Sequence, residues 1–559
     1  MEPVWLSHYQ EGVPATIDSA SITEQSIIEL FEKACASYPQ RPAFTNMERT
    51  LSFAEVWNYS RHFANYLWHE LGLRPGDRLA IMLPNILQYP IALYGAFQIG
   101  LVVVNVNPLY TAREVAEQLK DAECKAIVVL ENKAQVIEQI IAITGLKHVI
   151  VTRLGDMLSF PRSCLVNLVV KYIKHKCPQW NIPAAIWFKK MLKPSADKFP
   201  TVEHHIDNVA FLQYTGGTTG TAKAAMLTHR NMLSNITQAR LWTSIINDPD
   251  GLEVVITPLP LYHIFSLMVN CLLYGCLGAH NILITDPRNI PALIKEFSRY
   301  PFTVVSGVNT LYNSLLNHPD FAKLDFSHFK VTLAGGMAVQ HSVAERWLQV
   351  TGSVLLQAYG LTETSPGALI SPMNAPCFTG AIGLPISSTE IKICDDEGQE
   401  VPRGECGELW IKGPQVMQGY WRKPEETRKV LSSDGWLKTG DIARIDETDF
   451  VYLVDRKKDM ILVSGFNVYP NEIEDIVAAY DGVLEVAAIG VPDEHSGESI
   501  KLFIVKKDPT LTADRVIRYC RKNLTAYKVP KHIEFRSELP KTPVGKILRR
   551  ALRNEAKAI

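Results

Sequence analysis

Two long stretches of the chain carry no Asp, Glu, Lys or Arg: Leu79 to Ala112 and Val254 to Thr285. Both are interrupted by Pro, Asn and Gly, so neither supplies the roughly 20 consecutive apolar residues of a membrane-spanning helix. The first divides into LAIMLP, ILQYPIALYGAFQIG and LVVVNVNP, which is typical of a strand, a helix and a strand. Parallel strands covered on both faces have such continuous apolar runs. We therefore predict a buried βαβ unit.

The alternation of strand-like and helical patterns continues along the chain. AIVVL precedes ENKAQVIEQIIAIT and VIVT, and NILIT precedes IPALIKEFSRY and TVVSGV, which predicts an α/β fold with parallel-rich sheets over residues 1–455. Shorter strands with Gly and Pro turns predict a small β-barrel-like subdomain over 380–455. Residues 456–559 are enough for a small, mobile α+β C-terminal domain. The charged cluster at 455–459 is either a surface turn or a hinge.

The composition excludes several classes of protein. There are 57 basic and 58 acidic side chains, so no global field attracts nucleic acid, and we predict no nucleic-acid partner. The ten cysteines include no C-x-x-C pair, which argues against disulfides or a zinc site and favours a reducing compartment. The start MEPVWLSHYQEG does not have the pattern of a secretory signal, so we expect a cytoplasmic protein.

The strongest local motif is YTGGTTGTAK, from Tyr214 to Lys223. Its glycines allow a tight turn and a close approach to a phosphate, its threonines add hydroxyl donors, and Lys223 adds a positive charge. A flexible turn is the alternative interpretation, and the Gly-Lys-Ser/Thr of a Walker A loop is absent. We predict a phosphate-binding loop with these members: Thr215, Gly216, Gly217, Thr218, Thr219, Gly220 and Lys223.

A second motif, QAYGLTETSP, follows an apolar strand-like run and spans residues 357–366. Tyr359 is a flat partner for a nucleotide base, Thr362 is a donor for a phosphate, and Glu363 is a carboxylate for magnesium. An ordinary exit from a strand is the alternative. Gly335 and Gly336, also after a strand-like run, permit a close approach to a flat ring or simply form a turn.

Two further motifs lie nearer the C-terminus. In DGWLKTGD, Asp441 either caps a helix or accepts the hydroxyls of a ribose. In PKTPVGKILRR, Lys546 lies on a loop braced by Pro and Gly, although a single lysine is usually just solvated.

Taken together and in this order, the motifs resemble the adenylate-forming superfamily of acyl-CoA synthetases and luciferase-like enzymes, over roughly residues 20–555. The stretch from Asp434 to Asp475 looks like the signature of fatty acyl-CoA synthetases, and NPLYTAREV, PLYHIF and GVNTLYNSLLN bring the chain closest to the long-chain fatty-acid–CoA ligases of bacteria. The resemblance implies ATP-dependent activation of a fatty acid through an acyl-AMP intermediate to acyl-CoA, with Mg²⁺ as cofactor and with AMP and pyrophosphate released.

The resemblance also implies a role for each matching residue. Lys546, Thr362 and Glu363 would be catalytic, and Thr215 and Glu363 would hold the metal. Lys458 would be the hinge, Gly465 would line the CoA tunnel, and Tyr262, His263 and Val308 would lie near the acyl chain. Apart from the phosphate loop, the ATP-binding residues would be Gly335, Gly336, Gln357, Ala358, Tyr359, Gly360, Thr362, Asp441 and Arg456. One departure is Ala224, where the family usually has glycine.

Alternatives of function and of partner remain open from the sequence. An acyl-AMP ligase that charges a carrier protein would share the fold, as would a luciferase-like oxygenase, and a non-enzymatic fatty-acid binding or uptake protein is a different class. Between Arg162 and Lys193, six lysines lie among apolar and aromatic residues. This segment is either a surface that docks on an anionic membrane, at its inner face, or a solvated helix face. A homodimer is compatible with the resemblance.

Overall fold

The computed structural model describes residues 4–18, 22–194, 198–215, 222–246, 251–542 and 544–557. In chain order, the strands of these residues are β1 (Pro42–Asn46), β2 (Arg49–Ser52), β3 (Arg78–Met82), β4 (Val102–Asn105), β5 (Ala126–Leu130), β6 (His148–Thr152), β7 (Ile186–Trp187), β8 (Val209–Thr215), β9 (Lys223–Thr228), β10 (Val254–Thr257), β11 (His280–Leu283), β12 (Val304–Gly307), β13 (Val331–Gly335), β14 (Leu355–Gly360), β15 (Gly367–Ile370), β16 (Leu384–Pro385), β17 (Glu390–Cys394), β18 (Gly407–Lys412), β19 (Gly419–Tyr420), β20 (Leu437–Ile445), β21 (Val451–Arg456), β22 (Ile461–Val463), β23 (Phe466–Val468), β24 (Val483–Asp493), β25 (Gly497–Lys506) and β26 (His532–Arg536).

The α-helices of the same residues are α1 (Ile27–Ser37), α2 (Phe53–His69), α3 (Gln88–Gln98), α4 (Ala112–Asp121), α5 (Ala134–Glu138), α6 (Ile141–Thr144), α7 (Arg162–Leu168), α8 (Phe188–Met191), α9 (His229–Trp242), α10 (Ile264–Ser266), α11 (Tyr274–Cys276), α12 (Ile290–Phe297), α13 (Asn309–Leu316), α14 (His341–Thr351), α15 (Pro424–Val430), α16 (Pro470–Ala478), α17 (Ala513–Asn523) and α18 (Arg549–Lys557). Short 3-10 helices are Val4–His8, Glu131–Lys133, Phe321–Lys323, Thr362–Thr364 and Ala526–Lys528. Two segments are π-helical: Val169–Ile173 and Leu267–Leu273.

The predicted βαβ unit is confirmed as β3, α3 and β4, and it lies in a sheet of order β19-β9-β8-β4-β3-β5-β6-β7. Every residue of α3 is buried, which explains why its sequence is apolar all round. Gly95 allows the close crossing of α2 and α3, because a Cβ there would lie 2.8 Å from the Ser60 carbonyl oxygen. The stretch was therefore correctly predicted to be core.

A second large sheet has the order β16-β15-β14-β13-β12-β10-β11-β1-β2 and is parallel from β1 through β11, β10, β12 and β13 to β14. Helices α1, α2, α3, α9 and the segment 264–276 fill the space between the two sheets. Helices α4 to α6 cover the outer face of the first sheet, and α12 to α14 cover that of the second. The result is a five-layered α/β domain, which confirms the predicted fold class.

One helix prediction was too simple. Residues 131–144, predicted as one helix, form a 3-10 helix, α5 and the single turn α6. The run Ile140-Ile141-Ala142-Ile143-Thr144 is rich in β-branched side chains, which lose rotamer freedom in a helix and lower its stability.

Two smaller sheets follow the large ones. The antiparallel sheet β17-β18-β20-β21 is formed by the segment with Gly and Pro turns, although β16 and β19 of that segment join the large sheets. Strands β22 to β26 form the last sheet, against which α16 and α17 pack around a core of their own. This last unit contacts α13 and α14, since the Asn313 side chain donates to the Leu484 carbonyl (2.9 Å) and the His341 amide donates to Asp475 (3.0 Å).

Two predictions from composition can be compared directly with this structure. All ten cysteines are free, as expected for a chain without a disulfide framework. Among the described residues, no helix is both long and apolar enough to cross a membrane.

Candidate active site

A cavity of about 1640 Å³ lies where strands β4, β8, β13 and β14 end, and the small sheet and the C-terminal unit close it. The structure brings together most of the site residues predicted from the sequence. Those that line the cavity are Thr215, Lys223, Tyr262, His263, Val308, Gly335, Gly336, Gln357, Ala358, Tyr359, Gly360, Thr362, Glu363, Asp441, Arg456, Lys458 and Lys546. Gly216, Gly217, Thr218, Thr219 and Gly220 lie outside the described residues.

Asp441 is the buried acceptor at the polar end of the cavity. It lies on β20 opposite Arg456 of β21, and the Arg456 Nε is 3.3 Å from its Oδ1. The Tyr359 hydroxyl donates to its Oδ2 at 2.7 Å. Burial, with the charge of Asp441 beside it, raises the pKa of Tyr359 well above its usual value, so this hydroxyl keeps its proton. Two side chains, one from each of two sheets, are thus fixed around the Asp441 carboxylate.

Glu363 lies in a 3-10 turn directly after β14, and its position depends on a close backbone crossing. A Cβ at Gly360 would lie 1.7 Å from the Pro366 carbonyl oxygen, so only glycine fits there. The Tyr420 hydroxyl donates to Glu363 Oε1 at 2.7 Å, and the Met417 amide donates to its carbonyl at 2.8 Å. Burial raises the pKa of Glu363, and the hydrogen bond from Tyr420 partly offsets this effect.

Tyr420 is a site residue that the sequence motifs did not reveal. It lies on β19, which pairs with β9, and Lys223 Nζ lies 5.3 Å from the centre of its ring. Lys223 also forms an ion pair with Glu426 of α15. Tyr420 therefore connects Lys223, the lysine of the predicted phosphate loop, with Glu363. Nothing local in the sequence signals this role, because it depends on pairing between strands almost 200 residues apart.

Ala224, the departure from the family pattern, is fully buried in β9 opposite Tyr214 of β8. Its methyl group packs in the core beside the first sheet. Its φ does not lie in the left-handed region, so the backbone here does not require glycine.

Lys546 reaches the cavity from the C-terminal unit. Its loop is closed by two hydrogen bonds between Thr542 and Lys546, and the Thr310 hydroxyl of α13 donates to the Gly545 carbonyl at 2.9 Å. Burial, together with the nearby charge of Arg456, lowers the pKa of Lys546 to about 7. With the C-terminal unit placed in this way against the large domain, Lys546 lies near the charges of Asp441 and Arg456.

The other end of the cavity is apolar. Tyr262 and His263 follow β10, Val308 follows β12, and the segment 264–276 supplies a wall of Phe265, Met268, Val269, Leu273 and Tyr274. Burial, with the charge of Lys546, lowers the pKa of His263 to about 4, so the ring is neutral near pH 7. Its Nδ1 accepts from the Phe265 amide at 3.4 Å, which indicates a structural role as the N-cap of α10.

Neighbouring residues of the 455–459 turn are tied to different parts of the molecule. Lys457 pairs with Asp396 of the large domain at 2.6 Å, whereas Asp459 pairs with Arg553 of α18 at 2.8 Å. Lys458 lies between them at the cavity wall, where burial and Arg456 lower its pKa to about 8. Gly465 does not line the cavity: it lies in the exposed turn between β22 and β23 with φ +84°.

Two family models match the chain. A model described as AMP-binding enzyme matches residues 31–421, and one described as AMP-binding enzyme C-terminal domain matches residues 472–546. The chain belongs to the AMP-binding enzyme family.

Curated relatives of this AMP-binding enzyme are similar over its whole length. It is 54% identical to the long-chain-fatty-acid–CoA ligase of Salmonella typhimurium, over 100% of this chain and 99% of the relative. It is 37% identical to the ligase of that name from Bacillus subtilis, over 99% of this chain and 98% of the relative.

Solved structures show the same fold. ATP-bound MatB from Rhodopseudomonas palustris is 28% identical with a TM-score of 0.81, covering 95% of this chain and 99% of that one. The anthranilate CoA ligase AuaEII in complex with anthranoyl-AMP is 24% identical with a TM-score of 0.86, covering 97% of this chain and 100% of that one. At this identity the likeness is one of fold alone.

The residues of this AMP-binding enzyme fit a magnesium ion of the kind that accompanies ATP. The described residues include no cluster of three His, Cys, Asp or Glu side chains. Mg²⁺ bound with a nucleotide takes one or two protein oxygens and completes its shell with phosphate oxygens and water. Glu363 offers a half-buried carboxylate at the cavity wall, and Thr215 offers a hydroxyl at the end of β8. This donor set suits Mg²⁺ and not a zinc site.

Proposed function

We propose that this AMP-binding enzyme is a long-chain fatty acid–CoA ligase. It uses ATP to convert a fatty acid to acyl-AMP and then transfers the acyl group to CoA, releasing pyrophosphate and AMP. One observation carries the proposal: a single cavity joins a cluster of charged groups around Asp441 to an apolar chamber along the segment 264–276. Full-length relatives that share the name long-chain-fatty-acid–CoA ligase support it.

In the first step, a carboxylate oxygen of the fatty acid attacks the α-phosphorus of ATP. The new P–O bond forms as the bond to the β-phosphate oxygen breaks, and its electron pair leaves with pyrophosphate. Two anions must approach each other, so positive charge fixed beside the α-phosphate is the largest expected contribution. We assign this role to Lys546, with Thr362 as a hydrogen-bond donor to the α-phosphate.

The nucleotide is held by segments that are distant in sequence. We assign the triphosphate to the loop from Thr215 to Lys223. The base would lie against Gly335, Gly336 and the segment 357–360, with Tyr359 stacked on it. Asp441 and Arg456 would hold the ribose hydroxyls. The ion pair between them supports this assignment, because it fixes both groups before the nucleotide arrives.

Magnesium would be held by Glu363 and Thr215, where its charge would reduce that of the phosphates. Tyr420 would act on this site without touching the ion: its hydrogen bond fixes Oε1 of Glu363 and leaves Oε2 for the metal.

In the second step, the CoA sulfur attacks the acyl carbonyl carbon. The thiol loses its proton, the acyl C–O bond to phosphate breaks, and AMP leaves. Lys546 of the C-terminal unit lines the cavity in this structure, and the thiol would take the place that it holds, so we expect the C-terminal unit to turn before the thiol enters. We propose residues 455–459 as the hinge between an adenylation domain (1–455) and a mobile domain (456–559), with Lys458 at its centre. Turning would carry Gly465 from its exposed position to the CoA tunnel.

The acyl chain would occupy the apolar end of the cavity beside Tyr262, His263 and Val308. Burying each methylene contributes about 0.8 kcal/mol, so a long chain gains most of its binding energy there. We therefore expect chain-length preference to follow the depth of this chamber. The cytoplasmic location stays a prediction from the sequence, as does a homodimer.

The test is fatty-acid-dependent exchange of labelled pyrophosphate into ATP with CoA omitted. We expect exchange with a long-chain acid, none without an acid, and acyl-CoA formation once CoA is added. Exchange that does not depend on an acid would contradict the proposal. Acyl transfer to a carrier protein but not to CoA would favour an acyl-AMP ligase instead.

A further inference from the structure

Arg549 is the first residue of α18, three residues after Lys546, and its side chain lies in a buried cluster of polar and acidic groups. It donates to both carboxylate oxygens of Glu474 on α16, at 2.9 and 2.6 Å, and to the Asn471 side chain at 2.6 Å. A further hydrogen bond, at 3.1 Å, reaches Oδ1 of Asp455. The ligase reaction proposed above gives this arginine no role.

This cluster crosses the boundary between the two units of the chain. Asp455 lies near the end of β21, which pairs with β20 of the large domain, whereas Asn471 and Glu474 lie on α16 of the C-terminal unit. Asp455 is only 1% exposed and also accepts a hydrogen bond from the Asn471 amide at 2.9 Å. The bonds from Arg549 to α16 therefore stay within the C-terminal unit, while those to Asp455 join this unit to the large domain.

A turn of the C-terminal unit about the proposed hinge would carry α16 and α18 away from Asp455. The Asp455 carboxylate would keep the hydrogen bond from the Arg456 amide (2.7 Å) but lose both the Arg549 guanidinium and the Asn471 amide. A buried carboxylate that loses its counter-charge is strongly unfavourable. The ion pair between Arg549 and Asp455 therefore favours the arrangement in which Lys546 lines the cavity.

The position of Lys546 depends on this contact because its loop is short and held on both sides. Before Lys546, the Thr310 hydroxyl of the large domain donates to the Gly545 carbonyl at 2.9 Å. After it, Arg549 binds Asp455. The lysine is thus placed between two contacts that both reach the large domain.

We propose that Arg549 is a positioning residue for Lys546. Its ion pair with Asp455 locks the C-terminal unit in the arrangement for adenylation and must break before the acyl group passes to CoA. This inference rests on the proposed function and adds a residue to it that acts through Lys546 and needs no contact with a substrate. The alternative is that Arg549 only stabilises the fold of the C-terminal unit through Glu474.

Asp455→Asn separates these two roles, because it removes the charge across the boundary and leaves the bonds between Arg549 and Glu474 in place. Rapid quench follows adenylation from ATP and a long-chain acid, and thioester formation from isolated acyl-AMP and CoA. We expect adenylation to slow by about tenfold, the scale of one hydrogen bond between charged groups. Thioester formation should not slow, since the unit turns more easily. A purely structural role would slow both half-reactions alike.

A second readout needs no ligase activity. Arg456, Lys457 and Lys458 make the hinge a substrate for trypsin, and release of the C-terminal unit should expose it. Without ligands, Asp455→Asn should be cleaved there about tenfold faster than the unmodified chain, with no faster cleavage elsewhere. Arg549→Lys keeps a charge beside Glu474 but not the fork that reaches two carboxylates. It should change both readouts in the same direction, by about threefold.

Arg536→Gln is the matched control. Arg536 pairs with Glu555 of α18 at 2.6 Å inside the C-terminal unit, and it is not among the described residues that line the cavity. This variant should leave both readouts unchanged. Equal slowing of the two half-reactions in Asp455→Asn, or unchanged cleavage at the hinge, would overturn the proposal. If the unmodified chain shows no fatty-acid-dependent exchange, the proposed function fails, and the trypsin result alone then decides whether the lock exists.

Discussion

The two ends of the cavity differ in how they are built. The polar end takes Tyr359, Glu363, Asp441 and Lys546 from three distant segments, two of them in or just after strands of the large domain and one in the C-terminal unit. The apolar end is supplied mainly by one continuous buried segment, 264–276. Charged groups must be positioned around the reacting atoms, which requires several rigid backbone segments. Binding an alkyl chain requires only a deep apolar surface. Changes at the polar end should therefore alter rates, and changes at the apolar end should alter which acid is used.

Lys546→Ala should have the largest effect. Removing this charge should slow acyl-AMP formation by at least about 10²-fold, the scale of one electrostatic contact to a developing charge. The apparent affinity for the fatty acid should change little, since the apolar end is untouched. Single-turnover formation of acyl-AMP measures both. Lys531→Ala is the control, because Lys531 pairs with Asp493 on the surface of the C-terminal unit. A normal rate in the Lys546 variant would contradict the assignment.

Val269→Phe should change the preferred acid instead of the rate. Val269 lines the apolar end, and the larger ring should exclude the last methylenes of a long acid, at about fourfold in kcat/KM for each one lost. Excluding two methylenes would lower kcat/KM for the long acid by about 15-fold. The kcat/KM for a shorter acid should be unchanged. Leu272→Phe is the control, because Leu272 is buried in the same π-helical segment but does not line the cavity. Equal shifts in both variants would mean that overpacking alone is responsible.

Lys458→Pro tests the connection between the two units. Proline restricts the backbone of the proposed hinge, so thioester formation should slow by roughly tenfold, or about 1.4 kcal/mol, while adenylation changes less. The two half-reactions are followed separately by rapid quench. Lys458→Ala keeps the backbone freedom and removes the side chain with its charge. Equal losses in both half-reactions of the proline variant would argue against a hinge.

The pH dependence of adenylation should follow Lys546. A lysine is charged below its pKa, and the pKa of about 7 means that the charge is lost at a lower pH than usual. The kcat/KM for ATP, which reports the free enzyme, should therefore fall by about fivefold between pH 7 and pH 8. Lys546→Arg should flatten this fall, because guanidinium stays protonated. A fall of the same size in the arginine variant would assign the titration to another group.

Tyr420→Phe should have the smallest effect. The change removes the hydrogen bond to Glu363 but keeps the ring beside Lys223, and the Met417 amide still holds the Glu363 backbone. We expect about a threefold higher Mg²⁺ requirement, the scale of one hydrogen bond. The measurement is a titration with Mg²⁺ in which ATP binding is followed by fluorescence in the absence of turnover. Its midpoint gives the Mg²⁺ requirement. Tyr519→Phe, on α17 of the C-terminal unit, is the control, because Tyr519 does not line the cavity. An unchanged Mg²⁺ midpoint in Tyr420→Phe would remove the positioning role.

The sequence predicted the α/β fold well where the patterns were strong. The segments that form β3, α3 and β4 are apolar on every side. A segment of this kind can hardly be placed anywhere but in the protein interior, so its burial was predictable. The segment 264–276 was equally apolar, yet its π-helical turn could not be predicted, because α and π geometries place the same residues in the core.

The site was predictable where a motif carries its own chemistry and not where pairing between strands creates it. Gly360 and Glu363 belong to one motif, and both line the cavity. Tyr420 could not be found, since its contact with Glu363 requires β19 to pair with β9. The low pKa of Lys546 likewise depends on the docked position of the C-terminal unit.

We infer that distant segments converge on one nucleotide so that an apolar acid can be activated. A crystal structure with a non-hydrolysable acyl-adenylate mimic is the decisive test. We expect the base beside Tyr359, the ribose at Asp441 and the alkyl chain along residues 264–276. A mimic bound elsewhere, or an alkyl chain directed to solvent, would contradict it.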